Sequence, residues 1–132
     1  MHDYIIDNYG GSHGIINHGG LASALARPSS GYYKTIAGQA AALMHALIKN
    51  HPFMDGNKRT ATLATLVSLD LSGVDVVGSR RQLANIDDWA EAIADNRRSQ
   101  TELATYLVRR IRPKHPWADH GIYLLGPKFP PQ

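Results

Sequence analysis

Between Thr35 and Asn50, apolar residues fall at Ile36, Ala40, Leu43, Met44, Leu47 and Ile48. This three-and-four spacing predicts an α-helix with a broad buried face. Its many alanines let neighbouring helices approach closely. A second run, Arg59–Leu71, keeps the spacing through Leu63, Leu66, Val67 and Leu71 before Ser72-Gly73 caps it. Two such helices need others around them, and the chain reads as helices with short breaks.

Met1–Tyr9 looks like the end of a helix with no beginning, stopped by Gly10-Gly11. The Gly/His/Asn-rich stretch to Gly20 reads as loop, and Leu21–Ala26 as two helical turns ended by Arg27-Pro28. Val74-Asp75-Val76-Val77 is too short for more than an edge strand or a loop. Asp88-x-x-Glu91 and Ser99-x-x-Glu102 both match the capping-box pattern. They are expected to open helices near Trp89–Asn96 and Gln100–Arg112. Trp89 and Tyr106 stand at apolar helix positions, as core aromatics do. From Pro113 onward the chain holds five of its seven prolines, so 113–132 is expected to be an extended tail beyond a domain of residues 1–112.

At 132 residues the chain suffices for one domain. Its 43% hydrophobic and 19% charged residues can build a core, which excludes wholesale disorder. No apolar run approaches the roughly 20 residues of a membrane-spanning helix, and no basic-then-apolar leader opens the chain. With no cysteine, disulfides, thiolate metal sites and cysteine nucleophiles are excluded, and the expected location is cytoplasmic. His13, His18, His45, His115 and His120 lack the pairing of a helical zinc site, and Ser12 lacks the setting of a hydrolase nucleophile. The net charge is +3. Arg80-Arg81, Arg97-Arg98 and Arg109-Arg110, with Arg112, read as solvated helix ends. Without a continuous basic stripe, an acidic protein is the better partner for that charge than nucleic acid.

The segment His51-Pro52-Phe53-Met54-Asp55-Gly56-Asn57-Lys58-Arg59 joins the two central helices. Pro52 disfavours helix at His51, which leaves the imidazole at a break where it can face a cleft. Gly56 permits a backbone that side chains forbid, followed by a run of N–H groups into a helix N-terminus. That is an anion-binding nest reinforced by the helix dipole. Lys58 and Arg59 oppose the dipole there, a cost unless an anion binds. Asp55 offers the oxygen ligand that magnesium requires, and His51 is the segment's only group titrating near neutral pH. This is an inventory for phosphate-centred transfer. The same residue types also make ordinary interhelical turns.

The segment resembles the signature of the Fic/Doc superfamily, His-x-Phe-x-Asp/Glu-Gly-Asn-x-Arg, at every specified position. The Gly-Gly turn, residues 21–28 (Leu-Ala-Ser-Ala-Leu-Ala-Arg-Pro) and residues 58–61 (Lys-Arg-Thr-Ala) resemble its death-on-curing (Doc) toxin branch. The resemblance implies an all-α fold, a compact helical bundle whose motif leads into a central helix. It implies ATP as co-substrate and Mg²⁺ as cofactor. By carry-over His51 is the base for an attacking protein hydroxyl, Asp55 holds Mg²⁺, and Phe53 anchors the loop. Gly56, Asn57 and Arg59 bind phosphates, with Lys58 beside them.

Two departures from the Fic pattern bear on the reaction. Lys58 stands where Fic proteins have Gly, and Thr62 where they have a second Arg. Fic proteins transfer AMP. The Doc branch shares the Lys and binds ATP inverted, phosphorylating elongation factor Tu. The departures favour Ser/Thr phosphorylation of that factor, with adenylyl transfer and an inactive binding module as alternatives. Fic enzymes are commonly silenced by a helix bearing Ser/Thr-x-x-x-Glu-Gly/Asn. Neither Glu91 nor Glu102 has those neighbours, so restraint is expected in trans, from an antitoxin.

Overall fold

The computed structural model describes residues 1–9, 11, 13–77 and 80–114. Ser12, His115, His120 and the expected tail beyond Lys114 lie outside the described residues. In chain order the elements are α1 (His2–Tyr9), α2 (His18–Ala26), a 3₁₀ turn (Arg27–Ser29), α3 (Ile36–Asn50), α4 (Asn57–Leu71), β1 (Val74–Val76), α5 (Arg80–Ala94), α6 (Gln100–Val108) and β2 (Ile111–Pro113). The fold is mostly helical, as expected, with one small two-stranded sheet among the described residues.

The alanine-rich helix is the centre of it. α3 packs against α2, α4, α5 and α6, and Ala41, Ala42, Met44 and Ala46 are wholly buried along it. Small side chains on α3, with Ala61 on α4, allow the close helix contacts that the composition implies. Leu69, Ile93, Leu103 and Leu107 close the core from α4, α5 and α6. Thr35 caps α3 by accepting from the Gly38 N–H at 2.9 Å. Ser99 and Glu102 form the expected reciprocal capping box on α6.

Four expectations are corrected. α2 begins at His18, inside the expected loop, because the Asn17 side chain accepts from Gly20 N–H and starts the helix early. α4 begins at Asn57 rather than Arg59, so its first turn lies within the motif. α5 begins at Arg80 rather than near Trp89: buried Ile86, Ala90 and Ile93 carry helical spacing across Asp88, which is therefore interior and not a cap. α6 stops at Val108, not Arg112. Residues 111–113 instead pair antiparallel with β1, Val76 opposite Ile111 and Val74 opposite Pro113. Pro113 disfavours helix at Arg112, and Val74–Val76 supplies the strand edge. Pro113, assigned to the tail, is thus the last residue of β2.

The segment after α1 is tied back to it by His13. Its Nδ1–H donates to Asp3 at 3.0 Å and its Nε2–H to Asp7 at 2.9 Å. Carboxylates on both nitrogens require the imidazolium. The bond to Asp3, joined by that to Asp7 against some desolvation, raises the pKa of His13 above 6.5. The same bond lowers that of Asp3. A raised folded-state pKa means the contribution is full below the unfolded value and fades as pH rises through the folded one. His13→Ala is therefore expected to lower Tm relative to wild type just below pH 6.5, with the gap closing well above it. Melting curves across pH check this; a gap that widens with pH contradicts it.

Candidate functional site

The loop between α3 and α4 is held from three sides. His51, the C-cap of α3, takes φ 47° and ψ 55°, a left-handed conformation uncommon for residues other than Gly and consistent with the bar that Pro52 places on right-handed helix. The chain then runs antiparallel to residues 14–17. The Pro52 carbonyl accepts from Ile16 N–H at 2.8 Å and Asn17 N–H at 3.1 Å, and Met54 N–H donates to Gly14 O at 3.1 Å. Ile15 and Phe53 form an isolated bridge. The imidazole of His2 lies flat on the Phe53 ring, centroids 3.9 Å apart and planes within 9°. Its Nε2 is 2.7 Å from the Asp55 carbonyl, which can only accept, so Nε2 carries the proton.

The third side is Asn57. Its Oδ1 accepts from Phe53 N–H at 3.0 Å and its Nδ2 donates to Phe53 O at 2.8 Å, both buried. The resemblance assigns Asn57 to the phosphates. Here its side chain is turned inward onto the loop, which leaves its main-chain N–H as its contribution to an anion site.

Gly56 then opens α4 at φ 77°. A Cβ at Gly56 would lie 3.2 Å from Ile6 Cδ1, so α1 packs directly beneath the turn. The first intrahelical bond runs from Thr60 N–H to Gly56 O at 2.9 Å, so the amides of 57–59 precede the helix's own acceptors. These residues line a cleft of about 440 Å³, together with Gly11, Asp55 and Gly56. Across it stand Asp87, Asp88 and Glu91 of α5. Such a volume suits a nucleotide-sized ligand.

Phe53 is buried at the base of the loop, while His51, Asp55, Lys58 and Arg59 are exposed. His51 does not line the cleft. Thr62 turns its hydroxyl back to Lys58 O at 3.0 Å, so it offers no clamp where Fic proteins have Arg. Sequence reasoning missed His2, the close packing of Gly11 against Asp55, and the acidic wall of α5. Glu91 ion-pairs with Lys58 at 3.0 Å. Asp87 and Glu91 stand four residues apart, one helix face; the sequence shows that spacing, but the capping-box pattern pairs Glu91 with Asp88 instead. Trp89 and Tyr106 are half-buried against the core, and His45 is half-buried in α3, where burial pushes its pKa down.

A single carboxylate fits magnesium, which takes one or two protein carboxylates and completes its shell with substrate phosphates and water. Among the described residues no group of three His, Cys, Asp or Glu is arranged to hold a metal alone. No helix among them is long and apolar enough to cross a membrane.

Asn57→Ala removes both bonds to Phe53 and strands buried main-chain groups. It is expected to destabilise the fold by about 2–3 kcal/mol, read by urea unfolding. A loss under about 0.5 kcal/mol would mean the loop is held by other contacts.

A family model described as the Fic/DOC family matches residues 1–69, a stretch that runs from α1 through the motif and into α4. The chain is also 38% identical over 73 residues to a protein named Toxin Doc from Mycolicibacterium smegmatis (strain ATCC 700084 / mc(2)155). That alignment covers 52% of this chain and 56% of the relative, so the chain spans about half the length of the curated relative it matches.

Proposed function

The chain belongs to the Fic/DOC family, and on that premise we propose that it is a Doc-type toxin that transfers the γ-phosphoryl group of ATP to a Ser/Thr hydroxyl of a protein, elongation factor Tu. The observation that carries this reading is one cleft. Asp55, Gly56 and the first residues of α4, Asn57, Lys58 and Arg59, all line it.

Each residue has a task in that scheme. Exposed His51, held outside the cleft at the end of α3, is reachable by a hydroxyl on a large protein. It takes the hydroxyl proton as the oxygen bonds to the γ-phosphorus. The bond from that phosphorus to the β–γ bridging oxygen breaks, and ADP leaves. The amides of the α4 turn and the Arg59 guanidinium receive phosphate charge in a preformed geometry. Asp55 would hold Mg²⁺, which when bound neutralises charge on the phosphates. Thr62 supports γ- over α-phosphate chemistry, since it stands where Fic proteins have a second arginine and its hydroxyl donates to Lys58 O. The toxin relative supports a partner antitoxin that restrains the chain in trans.

The test uses ATP labelled at either the α- or the γ-phosphate, Mg²⁺ and purified elongation factor Tu. The γ-label is expected on the factor and the α-label is not. Transfer of the α-label would make the chain an adenylyltransferase. His51→Ala is expected to lower transfer about 10²–10⁴-fold with melting unchanged, and Asp55→Ala to raise the Mg²⁺ concentration needed. An active His51→Ala protein would remove the base from this scheme.

A further inference from the structure

The chain's positive charge is not spread evenly. Residues 97–114 hold six cations and one carboxylate, Glu102, so that this stretch is +5 while the rest of the chain is −2. Part of this has a structural use: Arg109 and Arg110 follow the C-terminus of α6, where cations complement the helix dipole, and Lys114 pairs with Asp70. Arg97 and Arg98 likewise follow the C-terminus of α5, their N–H groups donating to Ala92 O at 2.7 and 3.3 Å, but Arg98 also stands just before the N-cap Ser99 of α6, the end at which the dipole disfavours a cation.

What surrounds Arg98 gives its charge another use. A groove of about 270 Å³ is lined by Asp88, Trp89, Ala92, Arg97, Arg98 and Tyr106. Trp89 and Tyr106 meet at 5.1 Å between centroids, and each carries a guanidinium. Arg98 lies 5.4 Å from the Trp89 centroid, and Arg110 lies 4.0 Å from that of Tyr106. Arg97 and Arg98 are exposed and already engage carboxylates, Asp95 at 3.3 Å and Glu102 at 3.0 Å. Stacked guanidinia are pre-organised forks for carboxylates, and Trp, Tyr and Arg are the residue types in which interface energy concentrates.

We propose that this α5–α6 groove docks an acidic segment of a partner protein, one apolar side chain entering the groove against Trp89 and Tyr106 while flanking carboxylates meet Arg98 and Arg110. The groove is smaller than the pockets that hold whole small ligands and suits a single side chain. Nucleic acid is disfavoured because its backbone needs a continuous basic track, whereas this groove is short and Asp88 lines it. The groove shares only Asp88 with the cleft and none of the residues assigned to phosphoryl transfer, so the proposal stands whether or not that transfer does.

The test is fluorescence anisotropy of the full chain with a labelled peptide of alternating glutamate and leucine. A lysine–leucine peptide and oligothymidine of similar length serve as comparisons. The acidic peptide is expected to bind, more weakly as salt rises, and neither comparison to match it. Replacing Arg98→Ala together with Arg110→Ala is expected to weaken binding at least about tenfold, the loss of two charge-assisted contacts. Lys58→Ala with Arg59→Ala is expected to leave it unchanged. Should the alanine pair not fold, Arg98→Lys with Arg110→Lys replaces it; this pair keeps the charge but not the fork and is expected to weaken binding severalfold. The proposal is overturned if the acidic peptide does not bind, if it binds the folded Arg98/Arg110 variant as well as wild type, if binding is lost with Lys58 and Arg59 instead, or if oligothymidine binds equally.

Discussion

The two hydrogen bonds between the Asn57 side chain and the backbone of Phe53 are the constraint on which the site depends. They close the loop into a ring of five residues, and everything outside the ring follows from its shape. With Phe53 pinned inward onto His2, the intervening Met54 and Asp55 must face outward. With Gly56 in a left-handed conformation, α4 must start immediately after. An anion site made of main-chain amides is only as rigid as the turn that aims them. Here the turn is clasped from inside by a buried amide and from beneath by Ile5 and Ile6 of α1.

The cleft above this turn is electrostatically divided. The α4 side presents Lys58 and Arg59; the α5 side presents Asp87, Asp88 and Glu91. The Lys58–Glu91 pair bridges the two. Both partners are about half exposed, so the pair contributes little to stability, but a bound anion must share Lys58 with Glu91. A cleft with cations on one wall and carboxylates on the other favours an anion oriented toward one side over one that fills it indifferently. Magnesium at Asp55 would add positive charge on the same side.

Much of this was legible in the sequence, for physical reasons. α3 declares itself through periodic apolar residues and α6 through a reciprocal cap, both local signals. The motif loop is legible because Pro52 restricts the residue before it and Gly56 admits a conformation that side chains forbid. Contacts distant in sequence were not. The β1–β2 pairing joins two three-residue strands whose local composition is ambiguous until they meet, and its price was a misread end to α6. His2 supports the loop from far away in the chain. Asn57 was assigned by resemblance to the phosphates, and only the geometry turns its side chain inward. Asp88 and Glu91 matched a cap at the sequence level because one spacing serves both a helix start and a helix face.

The central claim is that the clasped turn is a preformed anion site at the start of α4. Titrating the ¹⁵N-labelled chain with ATP and Mg²⁺ while following backbone amide shifts tests it most directly. The account predicts that the largest shifts fall on the amides of Gly56, Asn57, Lys58 and Arg59, with lesser ones along the Asp87–Glu91 wall and little change in α6. Shifts centred elsewhere, with the amides of 56–59 unmoved at saturation, would contradict it.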